Sequence, residues 1–144
     1  MAHRSETLMA AVLSTLTGLT TTGTLVERTR VRTVETAPAL TIEMGADDVN
    51  EEQSAYPNIA RELNVKIIAH VKKNSAMDTQ LNLIRQEVYV ALMADTTQGQ
   101  TFVTDTFLIS DDEPEFTGDA DQIVGRQQIN FVIQYRHSWT DPGA

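Results

Sequence analysis

Residues 61–72, RELNVKIIAHVK, decide the architecture. Leu63, Val65, Ile67, Ala69 and Val71 alternate with Asn64, Lys66, Ile68, His70 and Lys72. Successive side chains of a strand point to opposite faces, so this stretch makes one apolar face and one mixed face. A strand of that kind needs a helix layer on its apolar side and accepts water on the other.

The flanking sequence supplies the helices. After the strand, Asp78 is the expected N-cap of a helix whose buried stripe is Leu81, Ile84, Val88, Ala91 and Leu92. Gln80, Arg85, Gln86 and Glu87 then face water. Near the start of the chain, Leu8, Val12, Leu16 and Leu19 recur at spacings of four, four and three, beside Met9 and Leu13. This predicts a helix over 5–18 with Ser5 as its cap and Gly18 as its stop.

The remaining strands follow by alternation. One is expected over 24–33 and another from Leu40 through Ile42 and Met44, opened by Pro38 and closed by Gly45. Their short connection favours an antiparallel pair. Residues 46–60 carry acids, Asn and Pro57 without a period and read as an exposed loop. The DTTQGQ segment, 95–100, turns the chain out of the second helix. A strand follows with Phe102, Thr104, Thr106 and Leu108 on one face, then an acidic loop over 110–122. The last strand alternates Ile129, Phe131, Ile133 and Tyr135 with Asn130, Val132, Gln134 and Arg136. The expected fold is α+β: a mostly antiparallel β-sheet with two helices packed on one face and a long C-terminal β-hairpin. Residues 1–144 make one domain, with 136–144 as a flexible C-terminal tail.

Composition narrows the function. The chain of 144 residues has 41% hydrophobic and 22% charged residues, ordinary for a globular protein. Its net charge of −9 lies entirely from Asp47 onward, because four arginines balance four glutamates before that point. Wrapping DNA phosphates needs clustered Lys and Arg, so that binding mode is excluded. With no cysteine there is no disulfide, thiolate metal site or thiol nucleophile. The apolar stretch Leu8–Leu19 is too short and too interrupted to cross a membrane.

The motif search yields little chemistry. GLTTTG, residues 18–23, has the glycine spacing of a phosphate loop. Thr24 stands where the lysine belongs, however, and the segment follows a helix rather than opening one. His3, His70 and His137 have no metal-ligand spacing. Asp111, Asp112, Glu113, Glu115, Asp119 and Asp121 could suggest calcium, but strands rather than helices flank them. The plainer reading is a solvated hairpin tip whose charges block edge pairing. A third is a surface past which an anionic polymer moves without sticking. No serine sits in a nucleophile elbow. An enzyme is not expected, nor any cofactor.

One feature stands apart from this background. Arg28, Arg30 and Arg32 fall at alternate positions of GTLVERTRVR and take three of the eleven Lys and Arg residues. In a strand they share one face, suited either to their own glutamates or to carboxylates of another copy. The acids available are Asp47, Asp48, Glu51 and Glu52 in one segment and Asp111, Asp112, Glu113 and Glu115 in the other. Trp139, the single tryptophan, stands in the polar tail and is a candidate partner contact unless it folds back onto its own sheet.

The order of these pieces resembles the tail terminator (tail completion) proteins of long-tailed bacteriophages, the group that includes the lambda minor tail protein U. The pieces are the N-terminal helix ending in Leu-Thr-Gly, the segment carrying Val26 and Arg30, and the Pro38-Ala39-Leu40 lead-in to a strand. Then come the acidic loop, the strand ending Val71-Lys72-Lys73, the helix from Asp78 with Glu87 and Ala91-Leu92, DTTQGQ, and the closing Phe131–Tyr135 strand. The resemblance implies a structural virion protein that forms a six-membered ring at the tail–neck junction. Such a ring caps the tail tube, ends its polymerisation and offers the head-joining surface. Its partners would be further copies of itself, the tail tube protein and a neck or head-completion protein. DNA would pass through the lumen without specific binding, and no membrane is involved. Assembly would take place in the bacterial host cytoplasm. Two alternatives stay open at this point, a head-completion or neck connector protein and a non-viral interaction module.

Overall fold

The computed structural model describes residues 2–28, 37–72, 76–118 and 123–144. Its elements in chain order are α1 (Arg4–Leu16), β1 (Val26–Arg28), β2 (Ala39–Val49), β3 (Asn58–Lys72), α2 (Met77–Met93), β4 (Val103–Asp111), β5 (Glu115–Thr117) and β6 (Val124–Ser138). The 61–72 alternation is the heart of β3, the central strand of a sheet ordered β1-β2-β3-β6-β4, with β5 also paired to β6. Leu63, Val65, Ile67, Ala69 and Val71 are buried, as their parity requires.

Register carries that parity across the sheet. In the antiparallel β3–β6 pair, Leu63 faces Ile133, Val65 faces Phe131 and Ile67 faces Ile129. Directly opposed residues share a face, so one apolar surface runs over β3 and β6. Leu8, Met9, Val12 and Leu16 of α1 and Leu81, Ile84, Val88 and Leu92 of α2 cover it in a single core. Each fully buried Leu, Ile or Phe contributes about 1.5–3 kcal/mol. The fold is therefore α+β with both helices on one face. The opposite face carries the cross-strand row Glu43, Lys66, Asn130 and Ser110.

Several boundaries differ from the sequence reading. His3 rather than Ser5 caps α1, its Nδ1 accepting from the Ser5 backbone N–H at 3.1 Å. Asp78 lies inside the first turn of α2, after Ala76, and its carboxylate accepts from the Thr79 N–H. Gly18 does follow the end of α1, at φ 98°, a left-handed conformation that glycine adopts without a Cβ clash.

The first two strands pair parallel, not antiparallel, with Val26 opposite Leu40 and Arg28 opposite Ile42. A three-residue strand spans only about 10 Å, so a short stretch of chain suffices to return to its start. The expected continuation over 29–33 lies outside the described residues. Strand β2 does not stop at Gly45. It bulges between Met44 and Asp47 and runs on to Val49. A Cβ on Gly45 would stand 3.0 Å from the Asn64 Cβ, so the missing side chain lets the strand pass. The expected loop over 46–60 shrinks to 50–57.

Two bulges in β4 shift its faces, leaving Val103 and Thr106 buried and Thr104 exposed. Part of the expected acidic loop forms β5, paired with Val124–Arg126. The tail expected from 136 begins later, since β6 continues to Ser138. Beyond it, Trp139 N–H donates to the Pro57 carbonyl at 2.7 Å and Arg4 N–H to the Pro142 carbonyl at 2.9 Å.

Candidate functional site: charged and aromatic surface patches

Of the arginine stripe, Arg28 is described and Arg30 and Arg32 lie outside the described residues. Arg28 ends β1 at one edge of the sheet and reaches back to α1, its two Nη atoms donating to Glu6 at 2.6 and 3.1 Å. That hydrogen-bonded pairing lowers the Glu6 carboxyl pKa and raises that of the guanidinium. Arg28 therefore has an intrachain partner, on the exposed side, where ion pairs are worth about 0–1 kcal/mol.

The acids separate into distinct roles. Glu51 and Glu52 are exposed in the β2–β3 loop. Asp48 lies in β2 opposite Glu62. Asp111, at the end of β4, is held by Arg85 of α2 at 2.5 Å. Arg85 was expected to face water. The helix lies against β4, and the carboxylate there claims the guanidinium. Asp112 accepts from the Asn130 side chain at 3.0 Å, Glu113 is exposed, and Glu115 stands 3.8 Å from Arg126. Asp119 and Asp121 lie outside the described residues. Among the described residues no group of three His, Cys, Asp or Glu side chains is placed to hold a metal ion.

Asp47 is not a loop acid. The bulge at Gly45 places it in β2 opposite Leu63, on the helix-covered face, and its Oδ2 accepts from the Tyr135 hydroxyl at 2.6 Å. Around this bond lies a polar cluster that the sequence reading missed. Arg61 Nε donates to His137 Nε2 at 2.7 Å, and its Nη1 reaches the Asp47 carbonyl at 3.4 Å. His137 Nδ1 lies 2.7 Å from the Ser138 carbonyl, which fixes the tautomer with the proton on Nδ1. His3 packs edge-on against His137 at 6.0 Å.

Burial, then the bond to Asp47, pushes the Tyr135 phenol far above its ordinary value. Tyr135 is 1% exposed and His137 4%, so no substrate reaches them. The cluster is an internal tie between β2, β3 and β6. Odd parity along β6 signals Tyr135 and His137, whereas the bulge at Gly45 hides Asp47.

The glycine turn after α1 is also closed. Gly18 N–H donates to the Gly23 carbonyl at 2.8 Å, and both the backbone N–H and hydroxyl of Thr21 donate to Glu87 of α2. A carboxylate occupies the amide that a phosphate would need. Glu87, read as solvent-facing, is this anchor.

Trp139 remains outside. It is 59% exposed and leans edge-on against Tyr56, itself 82% exposed, with centroids 5.9 Å apart. The two rings stand together at the end of the sheet where β3 begins and β6 finishes. Among the described residues no helix is long and apolar enough to cross a membrane.

These features define an α+β domain whose distinctive chemistry is on its surface. No protein-family model matches the chain. No curated protein matches it in sequence. Among solved structures, a chain in the virion of a native gene transfer agent particle is similar over 93% of this chain and 88% of that one, at a TM-score of 0.50 and 12% identity. Similarity at that identity establishes a shared fold.

Proposed function

We propose that the chain is a structural virion protein that forms a ring of six copies on the end of a phage tail tube. The ring ends tube polymerisation and presents the surface to which the head joins, and the role needs no catalysis. The observation that carries the proposal is the likeness of fold, over nearly the full length of both chains, to a chain of a virion particle. The order of sequence pieces shared with tail terminators points the same way.

The sheet suits a ring. A closed ring of identical copies needs a heterologous contact, one surface meeting a different one on the neighbour. Strands β1 and β4 form opposite edges of the sheet. The β1 edge offers exposed Leu25 beside Arg28, and the β4 edge offers exposed Phe107 and Ile109 with Asp105. Because Arg28 is engaged by Glu6, we assign the charged contact with a neighbour to Arg30 and Arg32. The acids at Glu51, Glu52 and 112–115 that make no such contact would leave any enclosed passage unattractive to DNA phosphates.

Changing Arg30 to Glu is expected to abolish rings seen by electron microscopy while leaving the melting curve unchanged. Rings that persist in this variant would remove the arginine segment from the interface. Capping is tested directly by adding the protein to polymerising tail tube subunits. Tubes of fixed length are expected, and unchanged growth would refute the terminator role.

A further inference from the structure

At the end of the sheet where β4 begins, an open groove of about 570 Å³ is lined by Arg4, Asn58, Phe102, Thr104 and Arg136. Arg4 is held in place by two contacts. Its Nη1 donates to the Arg136 carbonyl at 2.7 Å, and its guanidinium carbon lies 4.4 Å above the Phe102 ring centre. Phe102 is braced in turn by an edge contact with Tyr135 at 6.4 Å. One donor of the fork is spent on the carbonyl, and among the described residues Arg4 makes no ion pair. Arg136 beside it is exposed and likewise makes no ion pair among the described residues.

The chain has 20 Asp and Glu against 11 Lys and Arg, and Arg61, the other described arginine without an ion pair, is taken up inside the fold by His137. Arg28, Arg85 and Arg126 each face a carboxylate. A guanidinium held over an aromatic ring and tied to a carbonyl has already lost much of its rotamer freedom, so binding to it costs little further ordering. Both arginines line the groove, and a guanidinium fork matches the planar, bidentate geometry of a carboxylate. Of the chain's own exposed acids, Asp105 and Asp141 accept from the backbone N–H groups of Thr106 and Gly143, and those at 112–115 lie beyond the far end of β4, about 26 Å away along the strand.

We propose that the Arg4–Arg136 groove binds an extended acidic segment of another protein of the particle, two of whose carboxylates engage the two guanidinium groups. The assignment of that partner to the particle rests on the ring reading. A ring closed through β1 and β4 uses the sides of the sheet and leaves this end free, with Tyr56 and Trp139 exposed at the same end for an apolar contact.

The test is calorimetric titration of the full chain with acetylated, amidated hexaglutamate at about 50 mM salt, where screening is weak. Saturable binding of one peptide per chain is expected. Arg136→Ala should weaken it about tenfold, the loss of one charge-assisted pair. Arg136→Lys should weaken it less, and Arg136→Glu should abolish it. These changes touch an exposed side chain and keep the backbone carbonyl that Arg4 uses, and melting curves check that the fold is retained. Hexaglutamine and inorganic phosphate are expected not to bind. No saturable binding, binding unchanged in Arg136→Glu, or equal binding of phosphate would each overturn the proposal. Sedimentation of the same samples separates the two readings. Rings that persist in Arg136→Glu, with peptide binding lost, support both. A wild-type chain that binds the peptide yet never assembles refutes the ring and keeps the groove.

Discussion

Replacing Tyr135 with Phe isolates one bond of the internal polar tie. The ring stays and the core volume barely changes, so packing is nearly conserved. What is lost is the hydroxyl that donates to Asp47 Oδ2 at 2.6 Å. The other carboxylate oxygen, Oδ1, is buried without a hydrogen-bond partner. In the variant both oxygens of a charged group would therefore lack a donor at a site that Tyr135, 1% exposed, closes to water. A hydrogen bond to a charged group is worth about 1.5–3 kcal/mol. At roughly 4 °C per kcal/mol for a chain of this length, the melting temperature should fall by about 6–12 °C. Urea unfolding of the wild type, Tyr135→Phe, Asp47→Ala and the double variant gives the coupling directly. A coupling of about 1.5 kcal/mol or more is expected. A value below about 0.5 kcal/mol would show that the cluster is not the tie described.

The same phenol sets an alkaline limit. Its pKa is raised in the fold, so its contribution is fully present below the unfolded value of about 10 and is lost as pH rises above it. Stability should fall above pH 10 by up to about 1.4 kcal/mol per unit, and Tyr135→Phe should flatten that slope; equal slopes in both proteins would contradict the assignment. Gly125→Val should destabilise by about 1–3 kcal/mol, because even a Cβ at this position would lie 2.9 Å from Val71 Cγ2 and 3.0 Å from the Phe116 ring. Hydrogen exchange should show β5 opening first in that variant, and an unchanged exchange pattern would argue against close β5–β6 packing.

The layer architecture was legible because it rests on parity and period. Alternation over 61–72 and the stripes Leu8–Leu16 and Leu81–Leu92 each name a buried face, and all three meet in one core. What escaped depends on single-residue interruptions. The bulge at Gly45 reverses parity for Asp47 and turns an apparent loop acid into the partner of Tyr135. The bulges in β4 do the same for Thr104 and Thr106. The parallel β1–β2 pair escaped because three residues carry too little pattern to set direction. Solvent-facing assignments failed at Arg85 and Glu87 because helical period gives the angle of a side chain, not what lies beyond it.

The surface was legible in composition more than in position. Excess acid and the arginine stripe both appear in the sequence, but their pairing is a tertiary property. Arg28 turns to Glu6 rather than outward, while Arg4, which nothing in its sequence context singles out, lies over Phe102, bonds to the Arg136 carbonyl and makes no ion pair among the described residues.

Native mass spectrometry of the purified chain, paired with electron microscopy of the same sample, bears most directly on the ring. A single assembly of six subunit masses with a central opening is the expected result. A monomer at every concentration, both alone and with tail tubes added, would contradict it.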